Sequence, residues 1–211
     1  METIAVLDYG ASNMRSVSKA LEYVSSGAHN IVICNQPESL LAADRVVFPG
    51  QGAIGQCMSK LKQRGLDEVV PECIKNKPFL GICLGLQSLL QLSEEDGGTT
   101  GLNIIAGKVV KFLENTKDDN GSIYKIPHMG WNKVIQRQNH PMWQGIESGT
   151  LFYFVHSYYV QSEDQQYVAA TTDYVTEFTS AIANDNLFAV QFHPEKSQQA
   201  GLRLLDNFLH W

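Results

Sequence analysis

Short apolar segments alternate with amphipathic helical segments through the first 92 residues of the chain, and this alternation restricts the fold more than any other feature. The apolar segments are residues 4–7, 30–34, 45–48 and 78–82, and each precedes a stretch with helical periodicity. Strands joined through helices pair in parallel, and a parallel sheet needs helices on both of its faces. We therefore predict a doubly wound α/β sheet whose functional side chains follow the carboxyl ends of its strands.

The other elements follow from local periodicity and turn residues. Helices are predicted over residues 14–24, with Asn13 as a candidate cap, and over 37–42, 84–92 and 197–209. One or two more are predicted over 54–76, interrupted near Gly65 and Pro71. Strands are predicted over 107–113, 124–126, 133–136, 151–160, 167–170, 180–183 and 187–192, the last two as a hairpin. We therefore predict one α/β domain over residues 1–211, mostly parallel, with added antiparallel strands in its second half.

The composition argues against several classes of function. Sixteen Lys and Arg residues against 22 Asp and Glu residues give a net charge of −6, so neither a nucleic acid nor an anionic membrane is an expected partner. No apolar run approaches the ~18 residues that would cross a bilayer, and the acidic Glu2 is unlike the start of a signal peptide. We expect a cytoplasmic location.

Cysteine usage indicates one reactive thiol. The four cysteines lack the paired spacing of a zinc site, and we expect neither a metal nor a cofactor. Cys34, Cys57 and Cys73 are interpreted as small buried hydrophobic residues. Cys83 differs from these three in its sequence context, because Gly81-Ile82-Cys83-Leu84-Gly85 follows a predicted buried strand and begins a predicted helix. This spacing is typical of a nucleophile elbow, where glycines relieve crowding and the helix N-terminus favours a thiolate. An ordinary strand–helix turn that holds a buried cysteine would show the same five residues.

A cysteine nucleophile needs a general base, and the base needs a group that orients it. Among six histidines, His193 is the candidate because it directly follows an apolar strand and stands two residues before Glu195. Residues two apart in an extended chain face the same side, so the carboxylate of Glu195 can hold the imidazole. A lone His-Pro-Glu triplet is more often a surface strand end, but its combination with the elbow favours catalysis. His128 and His156 are assigned structural or partner-facing roles.

A glycine-rich stretch, Pro49-Gly50-Gln51-Gly52, ends the third strand beside the predicted elbow. A backbone N–H there could stabilise an oxyanion, with the N–H of Leu84 as the second donor. By itself the stretch is more typical of an ordinary Pro-Gly turn.

Two motifs together resemble those of class I, triad-type glutamine amidotransferases: Gly-Ile-Cys-Leu-Gly-Leu-Gln at 81–87 and Gln-Phe-His-Pro-Glu-Lys-Ser at 191–197. Residues 8–10 (Asp-Tyr-Gly), 127–132 (Pro-His-Met-Gly-Trp-Asn) and 153–158 (Tyr-Phe-Val-His-Ser-Tyr) are similar to stretches in the glutaminase subunits of imidazole glycerol phosphate synthase. The resemblance runs from the first strand to the last helix. It implies the flavodoxin-like fold of that family and a glutaminase activity.

The resemblance also implies roles for the matching residues. Cys83 would attack the side-chain amide carbon of L-glutamine, and His193, oriented by Glu195, would protonate the departing ammonia and then activate water. Substrate and oxyanion contacts fall on Gly50, Gln51, Gly52, Leu84, Gln87, Ser157 and Tyr158. Contacts with a partner subunit fall on Trp131, Asn132, Tyr153 and Lys196, although Trp131 is equally compatible with a core position.

The same resemblance implies a partner. In that family the ammonia passes through a tunnel to a phosphate-binding (β/α)8-barrel synthase subunit, with which the glutaminase forms a heterodimer. The barrel then makes imidazole glycerol phosphate and an aminoimidazole carboxamide ribotide in histidine biosynthesis. This chain shows no phosphate loop of its own, which is consistent with a ribotide site elsewhere.

Two positions depart from the family pattern. Gln51 replaces a small apolar residue in the oxyanion stretch, and Ser12 replaces a common glycine near the partner face. Because glycines flank Gln51, its N–H can turn away from the nucleophile. We therefore expect the isolated chain to hydrolyse glutamine slowly until the partner and its ribotide are bound.

Three other functions stay compatible with the sequence. A related glutaminase could supply a different synthase, such as a sugar amidotransferase of polysaccharide biosynthesis. A cysteine hydrolase of the same sheet architecture would leave the His-Pro-Glu motif unexplained. A non-enzymatic interaction module would not need a nucleophile, a base and an orienting carboxylate together.

Overall fold

Both faces of the first strand are buried, as its uninterrupted apolar sequence requires. The computed structural model describes residues 1–10, 13–118 and 120–211, and Ser12 lies outside them. In β1 (Thr3–Leu7), Ile4 and Val6 pack into one hydrophobic cluster, whereas Ala5 and Leu7 pack into another. Successive side chains of a strand point to opposite faces, so helices must cover both sides of this sheet.

The first half of the chain alternates between strands and helices, as predicted. Gly65, with a φ of 66°, separates two helices, whereas Pro71 lies inside the second of them. Asn13 directly precedes the first helix, but its side chain makes no capping hydrogen bond, contrary to prediction. After β1 come α1 (Met14–Ser25), β2 (Asn30–Cys34), α2 (Pro37–Ala42), β3 (Arg45–Gly50), α3 (Ile54–Gln63), α4 (Leu66–Asn76), β4 (Phe79–Cys83) and α5 (Leu84–Gln87).

The second half is dominated by strands and closes with one long helix. It contains β5 (Leu90–Ser93), β6 (Thr99–Thr100), β7 (Ile105–Lys111), β8 (His128–Lys133), β9 (Ile135–Gln136), β10 (Leu151–His156), β11 (Tyr158–Ser162), β12 (Val168–Tyr174), β13 (Thr176–Asn184), β14 (Leu187–Val190) and α6 (Gln198–His210). The predicted hairpin joins β13 to β14. Of the helices in the described ranges, none combines the length and apolarity that crossing a membrane requires.

Four predicted elements are wrong. The strand over 133–136 breaks at Val134, because Lys133 ends β8, which pairs with β10, whereas Ile135 and Gln136 form β9, which pairs with β12. The helix predicted over 84–92 ends at Gln87, and β5 follows it. This prediction is wrong because the Leu-rich run has no periodicity that distinguishes a helix from a strand. Residues 124–126 form no strand. The strand over 151–160 breaks at Ser157, because β10 pairs with β8 whereas β11 pairs with β7 and β13.

The strand order brings the predicted site elements to one edge of the sheet. The order is β2–β1–β3–β4–β14–β13–β11–β7–β5–β6, with β12 beside β13 and β9 beside β12. Pairs from β2 to β14 are parallel, and those from β14 through β13 and β11 to β7 are antiparallel, which confirms the predicted α/β architecture. Gly50 of β3 stands beside Cys83 of β4 in register, and β14 lies on the other side of β4. Strands β8 and β10 form a separate antiparallel pair.

Candidate active site

Cys83 lies at the sharp turn between β4 and α5, in a backbone conformation that residues other than glycine rarely adopt. Its φ is 54° and its ψ is −105°, and its side chain is buried. A Cβ at Gly85 would come within 2.0 Å of the carbonyl oxygen of Phe48, and one at Gly81 would lie 3.2 Å from the backbone of Gly85. The turn therefore needs both glycines, as the elbow spacing predicts.

His193 and Glu195 form a buried pair beside Cys83. Nδ1 of His193 lies 2.7 Å from Oε1 of Glu195. Since a carboxylate only accepts, Nδ1 carries a proton. Burial lowers the pKa of His193, but the charge of Cys83, its hydrogen bond and the contacts of Glu195 together raise that pKa to about 10. The raised pKa favours the protonated form of His193, an imidazolium, beside the sulfur of Cys83.

A cavity of about 380 Å³ opens at Cys83 and brings most of the predicted contact residues together. Gly50 and Glu195 do not line the cavity, but each is next to a residue that does: Gly50 precedes Gln51, and Glu195 is hydrogen-bonded to His193. Glu95, Pro127, Val155 and His156 also line the cavity, although the motifs did not predict them as substrate contacts. In the described ranges, no group of three or more His, Cys, Asp or Glu side chains is arranged to hold a metal ion. The predicted residues in the lining are Gln51, Gly52, Cys83, Leu84, Gln87, Ser157, Tyr158, His193 and Lys196.

Gln191 contacts the sulfur of Cys83, an interaction that the motifs do not predict. This fully buried residue donates from Nε2 to Sγ at 3.5 Å, and its Oε1 accepts from Nε2 of Gln87 at 3.1 Å. Gln87 also donates to the carbonyl oxygen of Tyr158 at 3.0 Å. The sequence signal that could have indicated this contact is the polarity of Gln191, because an amide at the end of a buried strand must find hydrogen-bond partners. These bonds link Tyr158 to the nucleophile.

Two buried histidines, His156 at the cavity wall and His128 behind it, extend this chain of hydrogen bonds. Nδ1 of His156 donates to the carbonyl of Tyr158 at 2.7 Å, and Nδ1 of His128 donates to Nε2 of His156 at 3.0 Å. Burial lowers the pKa of His128 to about 4 and that of His156 to about 3, so both rings are neutral. Because the carbonyl of Tyr158 can only accept, it fixes the tautomer of His156 and, through it, that of His128. Nε2 of His128 in turn accepts from Nδ2 of Asn132 at 3.3 Å. These bonds are compatible with the predicted structural or partner-facing roles of the two histidines.

The N–H of Gln51 is directed to Tyr9. It donates to the hydroxyl oxygen of Tyr9 at 3.2 Å, and Tyr9 is buried and does not line the cavity. The N–H of Leu84, the first residue of α5, stays next to Cys83. In this conformation the N–H of Gln51, one of the two predicted oxyanion donors, is therefore engaged by Tyr9.

The residues predicted to face a partner lie on or near the β8–β10 pair. Trp131 is 43% exposed, which excludes the alternative core position, and its ring centre lies 6.1 Å from that of Tyr153. Nζ of Lys196 lies 6.0 Å from the centre of the Tyr153 ring, and Lys196 also lines the cavity. Asn132 donates to the carbonyl of Asp173 at 2.9 Å. The side chains of Trp131, Tyr153 and Lys196 thus form a surface that is continuous with the cavity, whereas Asn132 points to the other face of β8, towards His128.

The sequence and the fold place the chain in a known class of enzymes. Residues 5–211 match the family model of class-I glutamine amidotransferases, and the chain belongs to that family. The glutaminase domain of Trypanosoma brucei CTPS with bound acivicin shares the fold, with a TM-score of 0.64 at 17% identity over 100% of this chain and 94% of that one.

Closer relatives define the particular branch. The chain is 56% identical to imidazole glycerol phosphate synthase subunit HisH of Nitrosomonas europaea, over 100% of this chain and 99% of that protein. It is 52% identical to the HisH subunit of Methylococcus capsulatus, over 100% of this chain and 97% of that protein. The chain therefore belongs to the HisH family of imidazole glycerol phosphate synthase subunits.

Proposed function

We propose that this chain hydrolyses L-glutamine to L-glutamate and ammonia at Cys83 and supplies the ammonia to a (β/α)8-barrel synthase subunit of histidine biosynthesis. The observation that carries the proposal is the strained elbow of Cys83 beside the buried His193–Glu195 pair, in one cavity. The names of the close relatives favour this synthase over a sugar amidotransferase.

In the first half-reaction, the Cys83 thiolate attacks the side-chain amide carbon of glutamine and forms a C–S bond. The carbonyl oxygen becomes an oxyanion, which backbone N–H groups at Leu84 and Gln51 would stabilise. The imidazolium of His193 donates its proton to the amide nitrogen, the C–N bond breaks and ammonia leaves. A glutamyl thioester on Cys83 remains.

In the second half-reaction, the now neutral His193 accepts a proton from water, which attacks the thioester carbon. The C–S bond breaks, glutamate leaves and the thiolate is restored beside an imidazolium. In both half-reactions the role of Glu195 is to hold the ring and to stabilise the charge on it.

The α-ammonium group of glutamine needs an anionic partner, and its α-carboxylate needs hydrogen-bond donors. The carbonyl of Tyr158 already accepts from Gln87 and His156, so the backbone N–H groups of residues 157–158 are better suited to the substrate carboxylate. Glu95 lines the cavity and its Oε2 accepts from the N–H of Ile54 at 2.8 Å, which leaves carboxylate lone pairs for the α-ammonium group. Burial raises the pKa of Glu95, and a bound cation would offset that effect.

The ammonia has to be transferred without release to water, where it would be protonated. The surface of Trp131, Tyr153 and Lys196 is continuous with the cavity, so a synthase subunit docked there would receive ammonia next to where it forms. Tyr and Trp side chains that reach the surface, such as Tyr153 and Trp131, are enriched at protein interfaces.

The test uses the chain in complex with a candidate synthase subunit. Cys83→Ala is expected to abolish product formation from glutamine and to leave product formation from added ammonium salt unchanged, because the synthase site lies on the other subunit. Cys73→Ala, which removes a buried thiol outside the cavity, is expected to retain both activities. Glutamine-dependent turnover by the Cys83→Ala complex would contradict the proposal.

A further inference from the structure

The ring of Tyr9 is held rigidly at the edge of the sheet where the active site forms. Tyr9 follows β1 by two residues, and β1 is the parallel neighbour of β3, so both carboxyl ends reach the same edge. The Tyr9 side chain is 3% exposed, and its ring packs edge-on against Phe48 with ring centres 5.8 Å apart. Because the ring cannot move freely, its hydroxyl occupies a fixed position beside the end of β3.

The hydroxyl of Tyr9 bonds both polar groups of one residue in the oxyanion stretch. It accepts from the N–H of Gln51 at 3.2 Å and donates to the carbonyl oxygen of Gln51 at 3.4 Å. Burial raises the pKa of Tyr9 far above its ordinary value, so the hydroxyl keeps its proton and can make both bonds. It also contacts the thiol of Cys57, which belongs to the same hydrophobic cluster.

The peptide between Gly50 and Gln51 fits closely between this hydroxyl and the elbow. A Cβ at Gly50 would lie 2.9 Å from the hydroxyl oxygen of Tyr9 and 2.7 Å from Cβ of Leu84. On the other side of Gln51, Gly52 has a φ of 93°, and among the described residues none beyond its chain neighbours has an atom within 4 Å of where its Cβ would stand. The stretch therefore has a glycine on each side of Gln51 and open space at one end, which permits the peptide to rotate.

We propose that Tyr9 is a positioning residue that sets the resting orientation of an oxyanion donor: its hydroxyl holds the N–H of Gln51 away from Cys83. The inference rests on the proposed glutaminase function. A partner that activates the enzyme must then break the Tyr9–Gln51 bonds so that the N–H can turn towards the substrate carbonyl. The low activity expected of the isolated chain has, in this way, one identifiable cause.

The size of the effect follows from what one hydrogen bond contributes. A net hydrogen bond between neutral groups shifts an equilibrium by about 2- to 12-fold, so loss of the hydroxyl should raise the population of the rotated peptide by that factor. The upper limit is the full value of one oxyanion donor, about 10²–10³ in rate. Once the partner has already rotated the peptide, removal of the hydroxyl has nothing further to release.

The experiment measures glutamate formation from L-glutamine by wild type and Tyr9→Phe, alone and in complex with the synthase subunit and its ribotide substrate. We expect the rate of Tyr9→Phe alone to rise about 2- to 12-fold, with the rate of its complex within twofold of wild type. Tyr174→Phe is the matched control, because its hydroxyl donates to the carbonyl of Lys125 at 2.7 Å and does not contact Gln51. It should leave both rates unchanged.

A second variant tests whether the gain passes through the Gln51 N–H. Gln51→Pro removes that donor, so Tyr9→Phe combined with Gln51→Pro should show no gain over Gln51→Pro alone. A gain that persists in the double variant would overturn the proposal. If Tyr9→Phe lacks activity in the complex, Tyr9→Met provides the same test with different packing.

The outcomes separate the two proposals. Suppose that the wild-type complex is active but that isolated Tyr9→Phe and Tyr9→Met both hydrolyse glutamine at a rate within twofold of isolated wild type. This result would overturn the positioning role of Tyr9 and leave the proposed function intact. Wild type that forms no glutamate in any state would instead contradict the proposed function, and the role of Tyr9 with it.

Discussion

The side-chain amide of Gln191 donates a hydrogen bond to the sulfur of Cys83 across 3.5 Å, and both residues are buried. An N–H that points at a thiolate makes a charge-assisted bond, which is stronger than one between neutral groups. Because Gln87 holds the oxygen of the same amide at 3.1 Å, Gln191 cannot turn its nitrogen away without losing a second bond. Gln191 therefore fixes the position of the sulfur.

Gln191→Leu is expected to slow alkylation of Cys83 by iodoacetamide and to lower kcat, each by about tenfold or more, since hydrogen bonds to charged groups contribute about 1.5–3 kcal/mol. The measurement is the alkylation rate at one fixed pH together with steady-state kinetics. Gln161→Leu is the control, because Nε2 of Gln161 donates to the hydroxyl of Tyr159 at 3.3 Å instead. Equal alkylation rates in wild type and Gln191→Leu would contradict this role.

The His193–Glu195 pair should show unequal sensitivity to substitution. His193→Ala removes the proton donor and acceptor and should lower kcat by about 10³-fold or more, close to the effect of Cys83→Ala. Glu195→Gln removes only the charge beside the ring and should be milder, because the carboxylate orients the ring and stabilises its charge but transfers no proton. Steady-state glutaminase assays of the complex provide the comparison, and a larger loss in Glu195→Gln than in His193→Ala would reverse the assigned roles.

Sequence patterns predict the catalytic geometry well where neighbouring residues determine it. The elbow depends on Gly81 and Gly85, which stand two residues from Cys83, and the His193–Glu195 contact spans two residues. The parallel strands can also be predicted from local sequence, because each is a short apolar run between turn residues. Such features need no knowledge of which distant segments meet.

Contacts between distant segments are what the patterns miss. Gln191 reaches Cys83 over a separation of 108 residues, and Tyr9 reaches Gln51 over 42 residues. The break at Ser157 has the same origin, because the flanking segments are all suited to strands and only their pairing with β8 and β7 divides them. These features depend on strand order, which local periodicity does not encode.

The buried His128–His156 pair should make the protein less stable in acid. Burial lowers the pKa of His128 to about 4 and that of His156 to about 3, against about 6.5 in the unfolded chain. Below about pH 6.5 the unfolded state binds more protons than the folded state, so the free energy of unfolding falls as the pH falls. His193 acts in a different range, because its raised pKa adds stability below about 6.5 that is lost as the pH rises through about 10.

Urea unfolding at about pH 7 and pH 5 measures this dependence, and the pair should account for a loss of about 2–4 kcal/mol between them. His156→Asn keeps an amide near the carbonyl of Tyr158 but cannot titrate, so it should remove about half of that loss whatever its own stability. An unchanged difference between the two pH values in the variant would contradict the pKa assignment.

The two glycines Gly85 and Gly55 should respond oppositely to alanine. At Gly85 the new Cβ would meet the Phe48 carbonyl oxygen at 2.0 Å, so Gly85→Ala should reduce the free energy of unfolding by about 3 kcal/mol or more and abolish glutaminase activity. At Gly55, in α3, the nearest atom would be 3.5 Å away, and Gly55→Ala should stabilise by up to about 1 kcal/mol. Denaturant unfolding compares them, and a stable, active Gly85→Ala would refute the steric account of the elbow.

Peptide mapping after treatment with acivicin, a glutamine-like electrophile, tests most directly whether Cys83 is the nucleophile. The chain provides its own controls, because Cys57 and Cys73 are buried, Cys34 is half-buried, and none of the three lines the cavity. Burial raises the pKa of Cys34 to about 11 and that of Cys57 to about 12, so both stay protonated and unreactive near neutral pH. The account predicts one adduct per chain, on the peptide that contains Cys83, and its loss in Cys83→Ala. An adduct on Cys34, Cys57 or Cys73 that accompanies loss of activity while Cys83 stays unmodified would contradict it.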